Sequence, residues 1–453
     1  MGFLGIFVFL LIGFLLSSNR KAVDWRTIAW GVLLQWIFAF VVLKGSAIQQ
    51  SLSFVPFPKG SAWILAALLV APVLLRRFAN IASKPLNFAL GALVCAGLLR
   101  GNLVGAAFEE MRVVVQNLMH YASKGSSFVF GGLADPVSGH FAFSVLPVII
   151  FVSSIFAVLY YSGVMERVVG VTARTMGRFL NISGAESVSV AASILMGQTE
   201  APLTIRPFLP SLTQSELMVI MTAGMAHVSG SIMVAYVQMA RVDIVHLLTA
   251  VIMTAPGAIV MAKLIVPETS TPKTGGGVAV KVDNHDANLL DAAARGAFEG
   301  GQLAFNVGVM LVAFIGLVAL LNGVLGALLP GASLEGVLGV LFKPFALLMG
   351  VSPADAGLIG GLLGKRMVLN EFVAFSDLGN LPAGALSQHS RTIATFALCG
   401  FANFSSIAVQ LGGIGALIPE RRGDLARLGL RAMIAGTLAN FLSACIAGIL
   451  DAH

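Results

Sequence analysis

From the N-terminus the chain alternates long apolar runs with short polar breaks, the runs being residues 3–16, 27–43, 62–75, 88–99 (extended by 101–107), 141–161, 216–239, 247–266, 303–328 and 430–450. A bilayer core about 30 Å thick needs roughly 20 mostly apolar residues per helical span. The pattern therefore predicts an all-α, polytopic membrane protein. Residues 109–123 differ: Val113, Val114, Leu118 and Tyr121 recur on one helical face, and Glu110, Arg112, Gln116 and Asn117 on the other. Such a segment is expected to lie along the membrane interface, and residues 164–179 and 288–304 have similarly mixed faces.

Composition agrees, with 57% hydrophobic and only 11% charged residues, where soluble domains carry about 25% charged. The net charge of +7 comes from basic residues at the ends of apolar runs: Arg20, Lys21 and Arg26; Arg76 and Arg77; Arg167, Arg174 and Arg178; Arg421, Arg422 and Arg427. The positive-inside rule places these groups in the cytoplasm and both termini on the far side, so the charge reads as topology and implies no nucleic-acid partner. Cys95, Cys399 and Cys445 all fall in apolar segments and suggest neither a disulfide framework nor a metal cluster. The first run lacks a preceding basic region and reads as a retained span; Ile6 breaks the myristoylation pattern.

The polar, glycine-rich stretch 267–286 divides the chain in two. This suggests N-terminal spans and an interfacial helix over 1–124, assigned to a scaffold, a first half over 125–266, a cytoplasmic linker over 267–288 and a second half over 289–453. Each half holds one irregular apolar region, 186–210 with Gln198, Thr199 and Glu200, and 353–381 with Asn370 and Glu371. Interrupted hydrophobic segments at corresponding places in two halves point to the site of a secondary transporter. Non-helical backbone survives at membrane depth only where protein or a water-filled cavity covers it, so Gly197, Pro202 and Pro207 predict a re-entrant hairpin. A carboxylate near the bilayer centre costs about 2.5 to 3.5 kcal/mol, which favours a functional reading of Glu200 and Glu371. The bland readings are that the triplet only caps freed backbone groups, and that Glu371 pairs with Lys365 or Arg366, although an i, i+5 spacing is awkward on a straight helix. A third interruption, CGFANFSSIAV at 399–409, puts Asn403, Ser405 and Ser406 beside the flat faces of Phe401 and Phe404; alternatively its polar groups only bond between helices.

GQTEAPLTIRPFLP, NEFVAF, FALCGFANFSSIA and RRGDLARLG, in this order, resemble the concentrative nucleoside transporter family over roughly residues 125–450. The resemblance implies a homotrimer in the lipid bilayer, each protomer with its own pathway, an immobile scaffold, and an elevator-like transport domain of inverted repeats with two re-entrant helical hairpins and interrupted helices. It implies that Gln198, Thr199 and Glu200 bind the nucleobase, that Glu371, Asn403 and Ser406 hold the ribose hydroxyls, and that Phe401, with Leu303 and Ile232, walls the base. Chemistry agrees, since ribose diols donate well to a carboxylate and a site built for hydroxyls rejects analogues lacking them. No cofactor is implied.

One departure concerns the coupling ion. Sodium-coupled relatives carry an asparagine five residues before the glutamine and a serine in the following unwound helix, whereas this chain has Ser193 and His227, followed by Val228. Histidine titrates near pH 6.5, so a proton is the expected coupling ion, with His227 or Glu371 as carrier. A modified sodium site at Ser193, Met196, His227 and Val228, helped by Ser229, is the alternative, and a neutral His227 bonded within the bundle is the bland one. The runs 62–75 and 88–107 exceed what shorter bacterial members need and are expected to pad the scaffold. A membrane enzyme finds no HExxH, phosphate loop or Ser-His pair in its favour, and a channel fits paired re-entrant segments less well than alternating access. His120, His140, His246, His285, His389 and His453 are expected to be solvated, GLIGGLLG and LGGIGAL to allow close helix packing, and substrate preference leans to pyrimidine nucleosides plus adenosine. The expectation is cation-coupled nucleoside uptake across the cytoplasmic membrane.

Overall fold

The computed structural model describes residues 1–44, 103–134, 141–274 and 286–451. The expected spans at 62–75 and 88–99, together with Cys95, His140, His285 and His453, lie outside the described residues. Within them every regular element is helical. Six helical runs are long and apolar enough to cross a membrane: 25–43, 142–161, 214–240, 244–265, 289–328 and 419–451.

The helices are α1 (Gly2–Leu15), α2 (Trp25–Leu43), α3 (Leu103–Phe130), α4 (Leu146–Tyr161), α5 (Val164–Leu180), α6 (Gly184–Ser193), α7 (Gln214–Ala226), α8 (Gly230–Ala240), α9 (Ile244–Ile265), α10 (Leu289–Leu328), α11 (Leu334–Met349), α12 (Ala356–Val368), α13 (Glu371–Asn380), α14 (Gln388–Leu398), α15 (Phe404–Leu417) and α16 (Arg422–Asp451). The centre is α16, which is largely buried and packs against α1, α2, α7, α9, α14 and α15. At the periphery α4 and α10 pack along each other.

Two expected segments fold differently. Residues 109–123 belong to the longer α3, whose Val113, Val114 and Tyr121 are exposed while Val115, Ala122 and Ser126 are buried. The apolar stripe thus faces outward, as a lipid-facing surface should, and Arg112 on the other side pairs with Asp243 at 2.8 Å, the residue that caps α9. Residues 288–304 and 303–328, read as an interfacial piece and a span, form one continuous helix of 40 residues. The charges that suggested an interface neutralise one another there, since Arg295 reaches Asp286 at 2.7 Å and Glu299 at 2.9 Å.

The two irregular regions are hairpins. The first descends through α6, opened by a capping box in which Ser183 and Glu186 satisfy each other's backbone N–H groups. It turns at 197–200 and returns as a 3-10 run, Ala201–Ser211, because Pro202, Pro207 and Pro210 withhold the N–H groups an α-helix needs. The second is α12 and α13, joined at Leu369 and Asn370. The GLIGGLLG run lets α12 approach α11 closely, since a Cβ on Gly360 would lie 2.6 Å from Gly339 O.

Candidate functional site

Opposite the hairpins, two helices break. The run 214–240 is interrupted at His227–Ser229 between α7 and α8, and the run 388–417 at Cys399–Asn403 between α14 and α15. The breaks lie against each other, Phe401 N donating to His227 O at 3.3 Å, and the first also touches hairpin 1, Gly230 N donating to Leu195 O at 3.1 Å.

Glu371 is the first residue of α13, and Asn370 caps that helix by accepting from Val373 N at 2.9 Å. Its carboxylate is 5% exposed as a residue, and both oxygens are bonded: Oε1 accepts from Tyr236 Oη at 2.9 Å and Oε2 from Asn403 Nδ2 at 3.1 Å. Asn403 also caps α15, its Oδ1 accepting from Ser406 N at 2.9 Å and Ser405 Oγ at 2.6 Å. From hairpin 1, Gln198 Nε2 donates to Ser406 Oγ at 3.2 Å, and Gln410 Nε2 donates to Gln198 Oε1 at 3.3 Å and Met221 O at 3.0 Å. Polar groups, with the backbone N–H of Ser406 as one link, thus connect the tip of hairpin 1, through the broken helix, to the tip of hairpin 2.

The alternative pairing of Glu371 with a neighbouring cation does not form. Lys365 pairs with Glu335 at 2.9 Å and Asp377 at 2.5 Å, and Arg366 bonds backbone carbonyls and Asn440. Thr199 lies on α15, close enough that a Cβ on Gly413 would be 2.5 Å from its Cγ2. Ile232 is buried, and Phe401 and Leu303 are partly buried against the core. Glu200 stands apart from the chain of bonds. It is exposed, its Oε2 accepts from Gly197 N at 3.2 Å within its own turn, and Tyr160, Arg295 and Glu299 of α4 and α10 interact with it electrostatically.

At the coupling-ion positions, His227 is the C-cap of α7 and is buried. Its Nδ1 lies 2.7 Å from Ala223 O, so that nitrogen carries the proton, and Nε2 is buried with no hydrogen-bond partner among the described residues. Ser193 Oγ donates to Ser189 O at 2.9 Å, one turn back in its own helix. Met196 and Val228 are both buried beside the break. Of the remaining histidines, His120 is exposed, His246 is half-buried near Phe396, and His389 lies 3.4 Å from Asp451.

Sequence reading missed Tyr236 and Gln410. Each sits in a mostly apolar helix, and the available signal was that a phenol or amide at that depth must find a partner.

Comparisons with known proteins agree with this geometry. Residues 246–448 match the family profile described as the Na+ dependent nucleoside transporter C-terminus, residues 4–57 its N-terminus, and residues 142–242 a nucleoside recognition (Gate) profile. The uncharacterized transporter YutK of Bacillus subtilis is 40% identical, with 99% of this chain and 98% of that one aligned. The nucleoside permease NupC of Helicobacter pylori is 35% identical over 99% of this chain and 98% of that one. A solved structure of CNTnw in an inward-facing, substrate-bound state is 37% identical, covering 100% of this chain and 97% of that one with a TM-score of 0.83. These likenesses support cation-coupled nucleoside uptake by an integral, multi-pass membrane protein rather than enzymatic chemistry. The chain belongs to the concentrative nucleoside transporter family.

Proposed function

We propose that the protein takes up nucleosides by proton-coupled, elevator-type alternating access, with the sugar held by Glu371, Asn403 and Ser406 and the base by Gln198, Thr199 and Glu200 between Phe401, Ile232 and Leu303. The observation that carries this reading is the bonded chain from Gln198 through Ser406 and Asn403 to Glu371, which joins both hairpin tips. A nucleoside is a solute with two polar ends and an apolar middle. Its diol would take the remaining lone pairs of Glu371 beside Tyr236 and Asn403, and its base edge would exchange with Ser406 and Gln410 for the amide of Gln198. Such exchange costs little, because each group leaves one partner for another of the same kind.

The packing supports an elevator divided differently from a scaffold over 1–124. Helices α1 and α2 pack on α9 and α16, with the hairpins' own bundle, while α10 packs chiefly on α4, which meets that bundle through α8. The scaffold in this reading is built on α4 and α10. Phe298, Phe305, Val312 and Leu328 along α10 are all exposed, an apolar face that a homotrimer would cover.

Proton coupling is supported by the poverty of oxygen ligands at the altered position. The asparagine amide and the serine hydroxyl that sodium-coupled relatives place there are replaced by Ser193 and His227, and Ser193 Oγ is held against Ser189 O of its own helix. The Nε2 of His227 is the ring nitrogen left to accept a proton, and because the site is buried, charging it would need the conformational change of the transport cycle to supply a partner. Sodium is the second reading, favoured by the family profile, whose description is Na+ dependent. Uptake of labelled uridine into proteoliposomes tests both: an inward proton gradient without sodium should drive accumulation, and uptake indifferent to pH but dependent on a sodium gradient overturns the proton assignment.

A further inference from the structure

A second polar cluster lies behind the proposed site, where the two helix breaks cross. Helices α7 and α14 both end there, so two negative dipole ends meet at one point. Unwinding at each break also frees backbone carbonyls. In broken-helix transporters such ends and carbonyls bind a dissociable cation.

Here the chain supplies the cation itself. Arg366, on α12 of hairpin 2, is 1% exposed. Its Nη1 donates to Ala397 O at 2.7 Å, its Nε to Gly400 O at 3.2 Å and its Nη2 to Asn440 Oδ1 at 2.5 Å. Asn440, on α16, completes the closure with Nδ2, which donates to Ala226 O at 2.8 Å and Cys399 O at 3.0 Å. The fit is close: a Cβ on Gly400 would lie 2.4 Å from Asn440 Oδ1 and 2.6 Å from Ala226 O, so only glycine is accommodated there. Among the described residues Arg366 makes no ion pair, and the charge facing it is Glu371, which interacts with it electrostatically from beyond contact distance.

A buried guanidinium bonded only to neutral oxygens is costly. It is expected to persist where its charge has a task. We infer that Arg366 is a tethered cation and a positioning residue: it fills the crossing of the interrupted helices, where a free cation would otherwise neutralise the two dipole ends, and so fixes the 397–403 loop and hairpin 2 for substrate. This rests on the proposed function only in using nucleoside binding as its report. A planar fork can bond two carbonyls and an amide at once, whereas an ammonium is a point charge without that geometry.

The test is equilibrium binding of uridine, and uptake kinetics, for Arg366→Lys, Arg366→Met and, as a separate control, Glu371→Gln. Charge-assisted bonds of about 1.5 to 3 kcal/mol predict that Arg366→Lys raises KM about tenfold with Vmax kept, and that Arg366→Met loses binding by about a hundredfold. Millimolar guanidinium should restore Arg366→Met in part, while methylammonium should not. Where Arg366→Met fails to fold, Arg366→Lys decides: a raised KM supports the role and a wild-type KM overturns it. Wild-type binding by both variants, or an Arg366→Met defect that guanidinium does not relieve beside a wild-type Arg366→Lys, also overturns it. Normal binding by Glu371→Gln together with guanidinium rescue of Arg366→Met would remove the sugar assignment and leave the tethered cation standing.

Discussion

The two hairpins present the same functional group, a glutamate at the tip, in opposite conditions. In hairpin 2 Glu371 opens a regular helix, is buried, and has both oxygens held by Tyr236 and Asn403 from two other elements. In hairpin 1 Glu200 follows an irregular turn, is exposed, and accepts from Gly197 N within its own loop. The first carboxylate is preorganised: its position is set before substrate arrives, so binding spends little on ordering it. The second is held by a single bond within its own turn. Hairpin 2 therefore reads as the fixed half of the site and hairpin 1 as the adaptable half, which suits a constant sugar and a variable base.

The largest predicted effect contrasts the two glutamates. Glu371→Gln leaves one neutral acceptor and replaces the other oxygen by an NH2 donor, so one charge-assisted bond is weakened and the other lost, each worth about 1.5 to 3 kcal/mol with charge, and initial uridine uptake should fall by at least about a hundredfold. Glu200→Gln keeps the shape of an exposed group that one bond holds, and should cost about tenfold or less. Measured side by side in proteoliposomes, a larger loss for Glu200→Gln would reverse the comparison. Nearly normal transport by Glu371→Gln would remove the sugar assignment altogether.

A smaller effect belongs to Tyr236. Tyr236→Phe removes the phenolic bond to Glu371 Oε1 but keeps the ring, which stacks on Phe375 with centroids 4.6 Å apart. Asn403 still holds Oε2, so the carboxylate is loosened on one side only. Affinity should drop about tenfold, the worth of one bond to a charged group, with a modest loss of thermal stability from the unsatisfied Oε1 while the stack is kept. A wild-type Kd for Tyr236→Phe would mean that the substrate displaces the phenol completely.

How much of this was legible in the sequence follows the reach of the interactions. Apolar runs announced most spans within a few residues, because burial in lipid is a property of each segment alone. Prolines announced the irregular return of hairpin 1 for an equally local reason. Asn403, Ser406 and Glu371 stood out because polar groups at that depth are expensive wherever the chain takes them. What stayed hidden was pairing: Tyr236 meets Glu371 across 135 positions, Arg366 meets Asn440 across 74, and nothing local says which group each will meet. The segment 288–304 misled for a related reason. Its charges signalled an interface, but Arg295 neutralises Asp286 and Glu299, and the helix runs on into the membrane.

The smallest predicted effect probes the adaptable half. Thr199 rests on α15 at Gly413, where an added Cβ would lie 2.5 Å from Cγ2 and 3.1 Å from Cβ of the threonine. Gly413→Ala must therefore push Thr199 off the helix. The clashing atom is the end of a short side chain in a loosely held turn, so the turn can yield, and the cost should be modest, about threefold to tenfold in KM, in keeping with the one or two kcal/mol of mild overpacking. If hairpin 1 is the adaptable half, the double change Gly413→Ala with Thr199→Ser, which removes the colliding methyl, should recover most of the lost affinity. A rigid hairpin would respond differently: Gly413→Ala would then cost as much as Glu371→Gln, and the serine would not relieve it. That result would erase the distinction between the two hairpins, because it would mean that both tips are fixed before the nucleoside arrives.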